Sequence, residues 1–153
     1  MPDSLLIRPA TREDLPLIIA MLADDFLGSR REAFTDPLPE FYYRAFEAIQ
    51  ADPGTELVVA ELEGQVVGTL QLFFLPSLSF QGGTRAQVES VRVAAERRGQ
   101  GIGQQMMAWA IQRARQKGCR LVQLTTHAER KDAHRFYERL GFTANYIGMK
   151  LML

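Results

Sequence analysis

The chain has 153 residues, 46% of them apolar and 24% charged, with 18 basic and 18 acidic side chains that cancel to a formal net charge of zero. Such a length buries roughly two thirds of the unfolded surface around one core, so a single domain over residues 1–153 suffices. Zero net charge argues against strong nucleic-acid affinity, no apolar run reaches membrane-spanning length, and the single Cys119 excludes an intramolecular disulfide.

In chain order the pattern alternates strands and helices. Leu5 to Arg8 reads as a first strand. Thr11 can cap a helix over about Arg12 to Phe26, with Leu15, Ile18, Ile19 and Leu22 on one face. A second helix is expected over Pro39 to Gln50, where proline suits the first turn and Phe41, Ala45, Phe46 and Ile49 recur at helical spacing. Glu56 to Leu62 and Val66 to Leu75 form a hairpin about Glu63-Gly64. A loop, Pro76 to Gly83, leads to a fourth strand over Arg85 to Val93, whose alternation sets Val88, Ser90 and Arg92 against Glu89, Val91 and Val93. A third helix, Gln100 to Lys117, buries Ile102, Met106, Trp109 or Ala110, and Ala114, and ends at Gly118. A fifth strand, Leu121 to Thr125, precedes a helix over Lys131 to Leu140 with Ala133, Phe136, Tyr137 and Leu140 on one stripe. Final strands are expected over Phe142 to Ala144 and Tyr146 to Met152. This order implies an α/β (α+β) fold with a mixed sheet covered by helices.

The charges are not evenly spread. Residues 1–76 carry 5 basic and 13 acidic side chains, net −8, and residues 77–153 carry 13 and 5, net +8. The basic half suits an anionic ligand and the acidic half a cationic one, unless the two halves only attract each other.

Arg98-Gly99-Gln100-Gly101-Ile102-Gly103 lies between the fourth strand and the third helix. A helix starting near Gln100 leaves its first N–H groups unpaired at the positive end of its dipole. Glycines at 99, 101 and 103 let backbone approach a bulky anion, and Arg97 and Arg98 add charge at the rim, so a diphosphate fits. The bland alternative is a glycine-softened turn with surface arginines. A dinucleotide fingerprint fails, because the sixth position counted from Gly99 is Gln104 and not glycine, and no G-K-S or G-K-T exists for a P-loop.

With Arg98, Gly101 and Gly103 in the three fixed positions of [Q/R]-x-x-G-x-[G/A], the chain resembles the GNAT superfamily of acetyl-CoA-dependent N-acetyltransferases. Ala133, Phe136, Tyr137, Gly141 and Phe142 match that family's later signature, and the likeness covers Glu56 to Phe142. It implies a mostly antiparallel sheet of about six to seven strands with helices on both faces. It implies acetyl-CoA as co-substrate, held by Val91, Arg92 and Val93 on the fourth strand, by Arg98, Gly99, Gln100, Gly101, Ile102, Gly103 and Gln104, and by Arg130 and Tyr137. Arg130 is a departure, since many members carry asparagine there.

Acyl transfer to an amine makes three demands. An alkylammonium must lose a proton, a handicap of about 4.6 kcal/mol at pH 7. Glu89 is the candidate base, through a water relay or with a raised pKa, and His127 the reserve; Glu89 as a plain surface residue remains open. The likeness further implies that the N–H of Val91 or Val93 polarises the thioester carbonyl, and that Tyr137 protonates the departing thiolate. By helical spacing alone Tyr137 would be a core residue.

The implied acceptor region spans residues 24–43 and 73–83, where Asp24, Asp25, Asp36 and Glu40 can meet a cation and Phe26, Phe34, Tyr42, Tyr43 and Phe80 can pack beside it. The run Phe73 to Leu78 is also a candidate homodimer contact. The expected function is acetyl transfer to a small-molecule amine by direct attack in a ternary complex. The alternative is a non-catalytic coenzyme A-binding sensor. Transfer to a protein or tRNA fits less well with a short chain of zero net charge. No charged-then-apolar leader precedes the first strand, so the expected location is cytoplasmic; Cys119, His127 and His134 make no zinc spacing, and no metal is expected.

Overall fold

The structure, a computed structural model, describes residues 4–153. It divides into two compact units, the described residues up to Gln123 and the segment Leu124–Leu153.

The first unit is built on a sheet in the order β1-β2-β3-β4-β5, formed by β1 (Leu6–Pro9), β2 (Thr55–Leu62), β3 (Gln65–Leu75), β4 (Arg85–Val93) and β5 (Leu121–Leu124). Strands β1 to β4 pair antiparallel with their neighbours. Glu63 and Gly64 both take positive φ, 53° and 76°, which closes the β2–β3 hairpin with the turn whose twist matches the strands.

Register sorts the sheet's faces. Val59 lies opposite Thr69, and Leu57 opposite Gln71, which lies opposite Glu89 in turn. Val59 and Leu57 join the core made by helix α1 (Leu15–Ala23) and helix α3 (Glu40–Ala51), with Ile18, Ile19 and Phe46 buried in it. On the other face Gly68 meets helix α5 (Ile102–Gln116): a Cβ there would come within 2.5 Å of the Met106 sulfur, so glycine is what lets the helix settle. Helix α5 buries Ile102, Met106, Ala110 and Ala114, as its spacing predicts, and Met107 as well, while Trp109 is only half-buried.

The number of elements differs from the sequence expectation in three places. The single helix over Arg12 to Phe26 is instead a 3-10 turn (Arg12–Asp14), α1, and a short helix α2 (Phe26–Arg31). The break falls at Asp24, because the Asp25 carboxylate accepts the Gly28 N–H at 2.5 Å and starts a new helix. The loop after β3 carries one helical turn, α4 (Ser79–Gly82), in which Phe80 and Gln81 have positive φ. Among the described residues the sheet has five strands and not six to seven, since no strand forms over Phe142 to Ala144 or Tyr146 to Met152. Those residues have a strand-like pattern but no ladder partner among the described residues.

In the second unit α6 (Lys131–Arg139) carries Ala133, Phe136 and Tyr137 half-buried on one stripe, followed by Leu140. The Tyr137 ring packs edge-on against Phe136 and Phe142, with centroids 5.1 and 5.9 Å apart.

Candidate functional site

Strand β4 runs evenly from Arg85 to Glu89 and then bulges. Gln71 opposes Glu89 and Thr69 opposes Arg92, so Leu70 alone faces both Ser90 and Val91. Ser90 takes φ of 55° and is exposed, the extra residue of a β-bulge. Pairing resumes at once, with Gly68 opposite Val93 and the Ala94 N–H donating to the Val67 carbonyl at 2.8 Å. The bulge cancels the simple alternation expected for this strand. It also re-aims the backbone at Val91, one of the two expected polarising donors.

Strand β5 has four residues against nine in β4, and Gln123 lies beside the first half of β4, donating from Nε2 to Gln87 Oε1 at 2.7 Å. Gln87 donates in turn to Glu89 Oε1 at 3.0 Å. The candidate base therefore ends a chain of side-chain amides, half-buried, immediately before the bulge.

On the face shared with α1 and α3, a cavity of about 150 Å³ is lined by Leu15, Ile18, Leu22, Tyr42, Gln71 and Ser90 among others. No charged side chain lines it. Gln71 is held by Thr55, whose hydroxyl accepts from Nε2 at 3.2 Å and donates to the Leu72 carbonyl at 3.0 Å. Gln71 and Ser90 are site residues that sequence reasoning missed; a glutamine in an apolar run was the only available signal. A larger cavity, about 460 Å³, lies by β1, α3 and α5 and contains none of the expected site residues.

The glycine-rich turn lies directly after β4. Helix α5 begins at Ile102, two residues later than the sequence suggests, with Gly101 as its N-cap at φ 79° and Gly99 at φ 78°. A Cβ at either glycine would meet nothing within 4 Å, so positive φ, not crowding, requires them. The first bond of the helix runs from Gln105 N–H to the Gly101 carbonyl at 3.1 Å, which leaves the N–H groups of Ile102, Gly103 and Gln104 at the dipole's positive end. Buried Ile102 anchors this end. Arg98 reaches back to the Val93 carbonyl from Nε at 3.3 Å and lies 3.7 Å from Asp24; Arg97 lies 3.8 Å from Glu63. Gln100 sits exposed in the turn, and Arg92 donates to the Val91 carbonyl at 2.9 Å. Glu89, Val91, Arg92 and Val93 thus lie on the strand that leads into the turn from Arg98 to Gln104, whose unpaired N–H groups suit an anion.

Arg130 and Tyr137 belong to the second unit. Arg130 is the N-cap residue of α6; its N–H donates to the His127 carbonyl at 2.9 Å and its carbonyl accepts from His134. His127 is drawn into the same turn, Nδ1 accepting the Glu129 N–H at 3.1 Å. Burial pushes the Cys119 thiol up, which disfavours a thiolate nucleophile. In the acceptor region Phe26 and Phe34 are exposed, Arg30 stacks over Phe26, Arg12 over Tyr43, and Tyr42 donates to Glu32 at 3.1 Å. Among the described residues no helix is long and apolar enough to cross a membrane, and no cluster of three His, Cys, Asp or Glu could hold a metal ion.

Known proteins are similar to this chain. The model of the acetyltransferase (GNAT) family matches residues 21–142. Aminoalkylphosphonate N-acetyltransferase of Salmonella typhimurium is 33% identical over 144 residues, 92% of this chain and 86% of that protein. A crystal structure described as a transcriptional regulator from Bacillus halodurans C-125 is 49% identical, with a TM-score of 0.95 over 98% of this chain and 100% of its own. That match takes in most of residues 142–153. A putative acetyltransferase from Agrobacterium tumefaciens is 28% identical, with a TM-score of 0.84 over 97% of this chain and 99% of its own. The family's co-substrate is acetyl-CoA. The chain belongs to the acetyltransferase (GNAT) family and is, by that membership, an N-acetyltransferase.

Proposed function

We propose that this protein moves the acetyl group of acetyl-CoA to the primary amine of a small cationic molecule, by direct attack in a ternary complex, with residues 1–153 acting as one catalytic domain. The β4 bulge carries the reading: it sets Ser90 at the neutral cavity, between the carboxylate of Glu89 and the backbone of Val91. In this reading the N–H groups at the start of α5, with Arg98, Gly99, Gln100 and Gly101, hold the diphosphate, and Arg92, Val93 and Arg130 take the rest of the cofactor. Glu89 receives the ammonium proton through water, and the freed nitrogen forms a C–N bond as the C–S bond breaks. The N–H of Val91 supports the negative charge on the carbonyl oxygen. Tyr137 gives its proton to the departing thiolate, a transfer uphill by about 2 kcal/mol that must be coupled to bond breaking, and the second proton leaving the new amide nitrogen restores the Tyr137 phenol.

The cavity's small volume and uncharged lining favour a compact aliphatic amine, with the acidic residues outside it attracting the cation. A second reading is a coenzyme A-binding module without turnover, since one relative is described as a transcriptional regulator. The test is thiol release from acetyl-CoA against polyamines, aminoglycosides, amino acids, aromatic amines, short peptides and aminoalkylphosphonates, with cofactor binding followed by calorimetry. Release with one class of small amine supports catalysis and names its chemistry. Tight cofactor binding with silence throughout favours the regulatory reading. No binding at all overturns both.

A further inference from the structure

The neutral cavity between the sheet, α1 and α3 has Tyr42, Thr69, Gln71 and Ser90 as the polar side chains of its wall. Two of them have their hydroxyls engaged elsewhere. Tyr42 accepts the Ala33 N–H at 2.9 Å and donates to Glu32, and Thr69 donates to the Val58 carbonyl at 2.9 Å. Ser90 and Gln71 remain for a ligand.

The Gln71 amide is held in one orientation. A hydroxyl has a single proton, and that of buried Thr55 goes to the Leu72 carbonyl at 3.0 Å, so Thr55 Oγ1 can only accept from Gln71. The Gln71 NH2 therefore turns to Thr55, at 3.2 Å, and the amide oxygen has no partner among the described residues. Thr55 is not part of the cavity wall, so the nitrogen end is tied down outside it and the oxygen is the end left to a ligand. Gln71 also lies directly opposite Glu89 in the β3–β4 ladder. Opposed residues of an antiparallel pair project from the same face with Cβ atoms about 4.5–5.5 Å apart, so the amide oxygen and the proposed base flank one point beside Ser90.

A primary ammonium has three N–H donors, and in the transfer described above each has a different fate. One proton passes through water to Glu89, and one restores the Tyr137 phenol after the C–S bond breaks. The third stays on nitrogen in the ammonium, the free amine and the product amide alike. A secondary ammonium has only the two that are lost. We propose, resting on that substrate reading, that the Gln71 amide oxygen accepts this persistent N–H and makes Gln71 the residue that selects primary over secondary amines, with Thr55 positioning it. Held by that hydrogen, the nitrogen keeps its lone pair free to turn toward the thioester.

Steady-state kinetics with propylamine and N-methylpropylamine test it. The ratio of their kcat/KM values should favour propylamine in the wild type and fall roughly tenfold in Gln71→Met, with the KM for acetyl-CoA unchanged. Thr55→Val frees the amide to turn and should lower the ratio in the same direction, whereas Thr55→Ser should keep it; a merely structural loss slows both amines alike. An active wild type whose ratio survives Gln71→Met, or survives Thr55→Val, overturns the proposal and leaves the substrate reading standing. A wild type that releases thiol with neither amine overturns the substrate reading and the role of Gln71 with it. Should the variants fail to fold, nitrogen-15 NMR of the wild type with coenzyme A decides. The Gln71 Nε2 signals should move on adding N-propylacetamide and not on adding its N-methyl derivative; signals that respond to both, or to neither, overturn the proposal.

Discussion

Ser90 is held at φ of 55°, a region that costs an L side chain roughly 1–3 kcal/mol and is most hostile to β-branched residues. Ser90→Val should therefore lower the melting temperature by about 5 °C, at about 2–4 °C per kcal/mol for a chain of this size. It should reduce turnover more steeply than stability, because the re-aimed backbone at Val91 is lost with the bulge; Ser90→Gly should retain both. Thermal denaturation and steady-state kinetics on the two variants decide, and an active, unshifted Ser90→Val would remove the bulge from the mechanism. Tyr137 poses a different question, since its ring packs between Phe136 and Phe142 while its hydroxyl is the proposed acid. Tyr137→Phe keeps the packing and removes only the proton. Turnover should fall roughly a hundredfold with acetyl-CoA binding retained by calorimetry. Unchanged turnover would leave Tyr137 a packing residue.

Between elements, the joint from β1 into α1 is fixed by charge. Arg8 donates to Asp14 at 2.8 and 3.1 Å and to Glu61 at 2.7 Å, and Thr11 donates to Asp14 from its backbone at 2.8 Å. Asp14 is buried, and the hydrogen bonds from Arg8, with smaller help from Thr11, hold its carboxyl below the usual value against the cost of burial. A depressed folded-state pKa stabilises above the unfolded value of about 3.9 and is lost as pH falls through the folded value. Stability should thus fall below about pH 4, and Asp14→Asn should cost about 2 kcal/mol at neutral pH and flatten that acid limb. Urea titrations from pH 7 downward provide the check; parallel acid limbs for the two proteins would refute it. Elements of this kind also mark where the sequence is readable. The hairpin at Glu63-Gly64 and the apolar stripe of α5 follow from local spacing, and so does the glycine turn at 99–101. The break at Asp24 rests on a single capping bond, and the bulge at Ser90 on pairing with β3, neither of which periodicity encodes. Tyr146 to Met152 reads as a strand because its alternation is real, but alternation alone makes no ladder, and among the described residues none forms there.

For the whole molecule, the opposed charges of the two sequence halves are partly used up inside the protein. Arg113 forks onto Glu56, with Nε 3.0 Å from both carboxylate oxygens, and Arg97–Glu63 and Arg98–Asp24 also join basic residues of one half to acidic residues of the other. Mutual attraction therefore accounts for part of the asymmetry, and the ligand reading must rest on what remains. Arg98 and Asp24 are each more than half exposed at 3.7 Å, so their pair contributes little to stability and competes weakly with any anion for Arg98. Asp24→Asn should leave the melting temperature unchanged and tighten acetyl-CoA about two- to threefold, the effect of removing one nearby like charge in a high dielectric. Raising ionic strength from about 0.05 to about 0.5 M should weaken acetyl-CoA binding by the wild type and narrow its gap to the variant, since both effects are screened. Calorimetry without acceptor isolates the cofactor from any role of Asp24 toward an amine. If Asp24→Asn binds no more tightly at low salt, Arg98 is not a phosphate contact, and the glycine turn alone must carry the diphosphate.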